Sequence, residues 1–259
     1  MSEREEQLKA FGKLLDIMDE LREKCPWDRK QTMESLRHLT IEETYELGDA
    51  ILDKDMQEIR KELGDLLLHI VFYSKIASET SAFGIKEVID GINEKLIHRH
   101  PHVFGDVVAE SEEEVAQNWE QLKLKEGKKS VLEGVPRSLP ALIKASRIQD
   151  KAASSGFDWD EPGQVLEKVK EELSELKAEI AAEEQDKVEA EFGDVLFSLI
   201  NFSRFIKVDP ESALERTNKK FIQRFQYLEK EAAKKGQSLK DMTLEQMDVY
   251  WNKSKELFR

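Results

Sequence analysis

One cysteine, Cys25, is the only thiol in a chain of 259 residues. Its isolation excludes an intrachain disulfide framework and fits a reducing compartment, so a cytoplasmic location is expected. No apolar run is long enough to span a membrane. The most apolar stretch, LGDLLLHIVFY from Leu63, is too short and carries Asp65 and His69. The first residues, MSEREEQLKAF, are charged and lack the apolar centre of a signal peptide. Basic residues are in deficit, 40 against 54 acidic, for a formal charge of -14. That balance argues against a general nucleic-acid surface, which needs a concentrated basic face. A nucleotide ligand stays open, because bound divalent cations invert the local field.

Sustained β-branched alternation is absent as well, which makes a sheet-based nucleotide fold a poor fit. What fills the chain is charged-apolar helical periodicity, punctuated by only six prolines and twelve glycines. The pattern predicts helices at about 4–22, 33–53, 55–79 and 85–99, with Asp53–Asp55 as a tight turn. A break at HPHVFGD and a helix start at Ser111 leading through Trp119 follow. Residues 127–140, GKKSVLEGVPRSLP, read as a linker. Beyond them helices are predicted near 141–153, 163–183, 186–206, 211–235 and 243–257.

The chain also repeats itself. ELGDLLL from Glu62 returns as EFGDVLF from Glu191, 129 residues later. Glu42, Glu43 and Glu46 return as Glu171, Glu172 and Glu175 at the same offset. PWD at Pro26 faces DWD at Asp158, INEKLIHR from Ile92 faces TNKKFIQR from Thr217, and Trp119 faces Trp251. The expectation is an all-α protein made of two duplicated helical units, residues 1–126 and 141–259, joined by 127–140.

Residues three or four apart share a helix face, so Glu172 with Glu175 and Glu191 with Asp194 form two acidic pairs. A short turn makes their helices antiparallel neighbours, and the pairs converge. Converged carboxylates repel and take up protons unless a cation sits among them. Hard oxygen ligands suit magnesium, with manganese as an alternative, and the lack of His or Cys disfavours zinc. Lys168 and Lys187 each stand four residues before an acid, and Lys220 with Arg224 makes a further cationic pair suited to phosphate oxygens. Trp251, with Phe221, offers an apolar face to a base. Gly64 and Gly193 weaken their helices, and close helix approach is the expected reason. Trp27 and Trp159 read as core anchors, and the histidines of HRHPH as capping or packing groups at a helix end.

Taken in order, CPWD, IEETYE, ELGDLL, RHPHVF, SGFDWD, EELSE and EFGDVLF make the chain resemble the MazG family of nucleoside triphosphate pyrophosphohydrolases along nearly its whole length. The resemblance implies two MazG-type domains, usually in a homodimer, that cleave nucleoside triphosphates between the α and β phosphates. It assigns magnesium ligands to Glu172, Glu175, Glu191 and Asp194. Nucleotide contacts fall on Lys168, Lys187, Lys220, Arg224 and Trp251, with Glu171 beside the ligands. The C-terminal unit is implied to be the principal catalytic one. Glu43, Glu46, Glu62 and Asp65, with Lys95 and Arg99, form a second candidate site, which has Glu58 where Lys187 stands in the other. Two competing readings are a non-catalytic nucleotide sensor or interaction protein, and a narrower pyrophosphatase for noncanonical or pyrimidine nucleotides.

Overall fold

The computed structural model describes residues 1–107, 111, 114–115 and 130–258. Among these residues the regular structure is all helical, and the chain divides into two compact units, Met1–Glu112 and Glu113–Arg259. Apart from Ser111, Glu114 and Val115, the helix expected through Trp119 lies outside the described residues, as do residues 127–129 of the expected linker.

In the first unit, helix α1 (Glu3–Lys24) opens on a capping box in which Ser2 and Glu5 satisfy each other's backbone N–H groups. Helix α2 (Met33–Asp53) starts at Thr32, whose hydroxyl accepts from the Ser35 N–H. Helix α3 (Met56–Glu79) starts at Asp55, which accepts from the Gln57 and Glu58 N–H groups. Between α2 and α3 the chain reverses at Lys54, which takes left-handed dihedrals at φ 57°. Helices α4 (Ile85–Arg99) and α5 (Pro101–Phe104) follow, Pro101 sitting at the start of α5 where its missing N–H costs nothing. His100 closes α4, its ring Nδ1 2.6 Å from the Leu96 carbonyl, as expected of a capping histidine. Met18, Leu36, Val71 and Phe72 form the buried centre where α1, α2 and α3 meet.

The second unit repeats the scheme. Helix α6 (Ala141–Ser154) leads to the hairpin of α7 (Pro162–Ala182) and α8 (Gln185–Phe205), then to α9 (Pro210–Lys234) and α10 (Leu244–Leu257). Its hairpin reverses at Glu183, again left-handed at φ 58° and 129 residues after Lys54. Val165, Val169, Val195 and Ile200 are buried on the hairpin, and Leu228, Ala232, Met242 and Tyr250 form a separate centre between α9 and α10.

The apolar run after each ExxD is only partly buried: Val195 is inside, whereas Leu196 and Phe197 are each 43% exposed. A helix turns 100° per residue, so three consecutive side chains cannot share one inward face. Trp27 and Trp159 are exposed rather than core anchors. A Cβ at Gly64 or Gly193 meets no atom within 4 Å among the described residues, so close packing within the unit does not explain these glycines.

Candidate active site

Each hairpin draws three glutamates together. Glu43 and Glu46 on α2 meet Glu62 on α3, and Glu172 and Glu175 on α7 meet Glu191 on α8. Within each group, one carboxylate oxygen from every residue lies within 4.8 Å of the others. Asp65 and Asp194 stand one turn beyond Glu62 and Glu191, next to the groups though not in them.

The two sites balance their charge differently. In the first, Glu62 is the buried member, and Lys61 Nζ lies 2.9 Å from its Oε1. That ammonium holds the Glu62 carboxyl below its usual range, and the other oxygen, Oε2, is buried without a partner. Burial, then the neighbouring Glu62 carboxyl and repulsion from Asp65 and Glu46, raise Glu43 to about 6. In the second, Glu172 is the buried member, and Lys168 Nζ reaches it at 2.8 Å while also touching Glu171 at 3.0 Å. The lysine pKa rises, chiefly through the Glu172 contact. Burial and the neighbouring Glu172 push Glu175 upward too.

These groups fit a hard divalent cation. Octahedral coordination at about 2.1 Å sets ligand oxygens roughly 3–4 Å apart, within a small side-chain adjustment of the observed spacing. The donors are all carboxylates, and the orphaned Glu62 Oε2 and proton-retaining Glu43 are the marks of a site short of positive charge. Because a ligand must give up its proton to bind metal, Mn2+ affinity at the first cluster is expected to rise from pH 5 to pH 7 and then level off. Titration calorimetry on a Glu172→Gln variant, which weakens the other cluster, reads this directly; equal affinity at both pH values would contradict it. For the metal-free protein the sign reverses. Glu43 is raised above the ordinary 4.5, so its stabilising contribution is present below about 4.5 and is lost as pH climbs through about 6.

The other residues singled out in the sequence are dispersed. Lys187 is engaged by Glu184 at 2.9 Å and Glu179 at 3.9 Å rather than by Glu191. Arg224 donates from Nε and Nη2 to the Phe258 carbonyl, at 3.0 and 2.6 Å, tying α9 to the end of α10. Lys220 is half-buried on α9, and Trp251 packs on Phe221 with ring centres 5.1 Å apart. Lys95 is exposed and Arg99 half-buried on α4.

A cavity of about 660 Å³ instead joins Lys168, Glu172 and Asp194 to Phe157, Trp159 and Gln149. Sequence reasoning did not assign these last three to the site. The available signal was DWD, a tryptophan flanked by acids just before an acidic helix, as in the earlier PWD. Arg204 holds that loop from α8, with Nη2 2.9 Å from Asp158 Oδ2 and Nε 3.2 Å from Asp150 Oδ1.

Residues 31–104 and 161–228 match the MazG nucleotide pyrophosphohydrolase domain. The chain is 48% identical over 250 residues to the Thermotoga maritima nucleoside triphosphate pyrophosphohydrolase/pyrophosphatase MazG, covering 95% of each. Against the Escherichia coli K12 nucleoside triphosphate pyrophosphohydrolase it is 42% identical over 257 residues, 96% of this chain and 98% of that one. The uncharacterized protein YabN of Bacillus subtilis is 46% identical over 255 residues, but only 52% of its own length is matched. Two domain matches that each contain one carboxylate group, and relatives similar from end to end, make this chain a member of the MazG nucleotide pyrophosphohydrolase family.

Proposed function

We propose that the protein hydrolyses nucleoside triphosphates between the α and β phosphates, giving a nucleoside monophosphate and pyrophosphate with magnesium as cofactor. The observation that carries this reading is the convergence of Glu172, Glu175 and Glu191 beside Lys168, at a cavity large enough for a small ligand. Family membership, and the names of the Thermotoga maritima and Escherichia coli relatives as nucleoside triphosphate pyrophosphohydrolases, support nucleoside triphosphates as the substrate.

In this reading Glu172, Glu175 and Glu191 hold the cation, with Asp194 completing the set from the cavity wall. The bound cation neutralises phosphate charge and lowers the pKa of water. Lys168 is placed to exchange its two carboxylate partners for phosphate oxygens, where its charge opposes the negative charge building on the leaving pyrophosphate. Glu171, exposed and paired with Lys168, regains its freedom when the lysine moves and can then accept a proton from water. Glu43, Glu46, Glu62 and Asp65 form a second site of the same chemistry, and the C-terminal one carries most turnover.

Incubation with magnesium and each nucleoside triphosphate in 18O-labelled water tests the bond and the point of attack. The label is expected in the monophosphate, with unlabelled pyrophosphate released. Orthophosphate as the first product would sink the reading, and metal-dependent nucleotide binding without turnover would favour a sensor instead.

Homodimerisation is part of the same proposal. Leu63, Leu67 and Ile70 on α3, and Phe192, Leu196 and Leu199 on α8, are all at least 40% exposed and correspond at the 129-residue offset. Each triplet follows an i, i+4, i+7 spacing, so each hairpin carries an unburied apolar stripe that a second copy can cover. A monomer mass by light scattering at micromolar concentration would contradict this.

A further inference from the structure

Helix α3 buries a titratable group that the proposed reaction does not use. His69 is 7% exposed, and its Nδ1 is buried with no hydrogen-bond partner among the described residues. Tyr73, one turn further on, does not satisfy the ring. Its hydroxyl lies 2.7 Å from Thr40 Oγ1 on α2, and its ring centre is 6.5 Å from that of the imidazole. Burial holds the imidazole below its usual pKa, against the opposing charge of Asp65, so the ring is largely neutral at pH 7 and keeps a lone pair. A buried polar atom without a partner calls for an explanation.

The position of His69 on the helix supplies one. Side chains of a helix lean toward its N-terminus, so His69 leans back over the turn that carries Asp65. Glu62, Asp65 and His69 stand at i, i+3 and i+7 and share one face of α3. Glu62 Oε2 is also buried without a partner, so two unsatisfied atoms flank Asp65 along that face. Two ligands four residues apart can chelate one ion from a single helix, as the two histidines of an HExxH motif do. The imidazole nitrogen adds what the glutamates lack. Oxygen ligands alone suit magnesium, whereas a mixed set of oxygen and imidazole nitrogen suits a transition cation such as manganese or cobalt. The second unit has no such donor: its residue at the 129-residue offset is Ser198, whose hydroxyl donates to the Val195 carbonyl at 2.9 Å.

We propose that the first unit holds a transition cation through Asp65 and the His69 imidazole, beside the Glu43, Glu46 and Glu62 group, while the all-carboxylate site of the second unit stays with magnesium. This goes beyond the reaction above: it rests on the carboxylate groups being cation sites and not on which phosphate bond is cut. The two units then answer to different metals. A fall in manganese empties the first site and leaves the second occupied.

The Glu172→Gln protein, in which the second cluster is weakened, isolates the metal of the first unit. Electron spin-echo modulation of bound Mn2+ is expected to show coupling to an imidazole 14N. Loss of an outer partner at a metal site already costs about 10- to 100-fold in affinity, so adding His69→Ser is expected to weaken Mn2+ and Co2+ at least about 10-fold by titration calorimetry. Mg2+ affinity is expected to change less than about 2-fold, which also shows that the glutamate group is intact. A second variant, His69→Gln, keeps a polar side chain without an imidazole and is expected to lose the nitrogen coupling in the same way. Mn2+ that binds without nitrogen coupling, or Mn2+ and Mg2+ weakened alike by both variants, overturns the proposal and leaves the carboxylate site standing. Coupling that persists in both variants assigns the nitrogen to another residue and overturns it as well. If the Glu172→Gln protein binds none of the three ions, the cation reading of the first unit falls, and this proposal with it.

Discussion

Replacing Glu172 by glutamine is expected to lower kcat/KM at least roughly 100-fold, about 2.7 kcal/mol of transition-state stabilisation. The change keeps the side chain's size and removes a charge that sits buried among two other carboxylates and one lysine. Two effects add. A ligand charge is lost, and Lys168 is released from its 2.8 Å partner to a position that no longer answers to the cluster. Asp194→Asn is expected to act in the same direction from the cavity wall. The matched changes Glu43→Gln and Asp65→Asn should cost much less overall if, as proposed, the second unit carries most turnover. Steady-state kinetics at saturating magnesium, on variants shown to be folded by circular dichroism, decides the matter. N-terminal changes that abolish turnover while Glu172→Gln leaves it intact would reverse the assignment, and comparable partial losses would mean both sites work.

Phe72→Ala is expected to destabilise the first unit by about 3–5 kcal/mol. Phe72 is 2% exposed and packs with Met18, Leu36 and Val71, so truncation leaves a void that three helices cannot close without moving. For a unit of this size the loss corresponds to a fall in Tm of at least about 10 °C. Differential scanning calorimetry should show a lower-melting transition, with the heat of the second unit's transition retained. Catalysis measured below that transition should persist, because Glu172, Glu175 and Glu191 are held by α7 and α8. A Tm within about 2 °C of wild type would mean that this cluster is not the centre of the unit's stability.

Much of the fold could be read in advance because its limits are local. Thr32, Asp55, Asp209 and Thr243 cap helices through bonds to residues two or three positions away. Pro162 and Pro210 mark helix starts by their own ring geometry. The meeting of the three glutamates in each hairpin was legible for a similar reason, since helical spacing and a one-residue reversal suffice to bring them together. The cavity was not legible. Its walls depend on contacts across the chain, such as Gln149 to Phe197 and Arg204 to Asp158, which leave no short-range pattern. Arg224 shows a contact of the same kind: its spacing from Lys220 suggested a phosphate clamp, and the sequence held no sign that its Nε and Nη2 donate to the carbonyl of Phe258, 34 residues away.

The lysine that tempers each acidic group comes from opposite arms of the hairpin. In the first unit it is Lys61 on the second helix; in the other it is Lys168 on the first. At the 129-residue offset their counterparts are Ala190 and Leu39, neither of which carries charge. The two similar halves are thus not interchangeable parts. A chimera joining α2 to α8 would assemble all its glutamates with neither lysine, whereas one joining α7 to α3 would carry both. The first would be short of cation before any metal arrived and would lean on it to fold, and the second would hold two ammonium groups competing with metal for the same oxygens. The acids recur at one offset while their counter-charge stands on opposite helices, so exchanging arms between the halves would break a balance that each half keeps on its own.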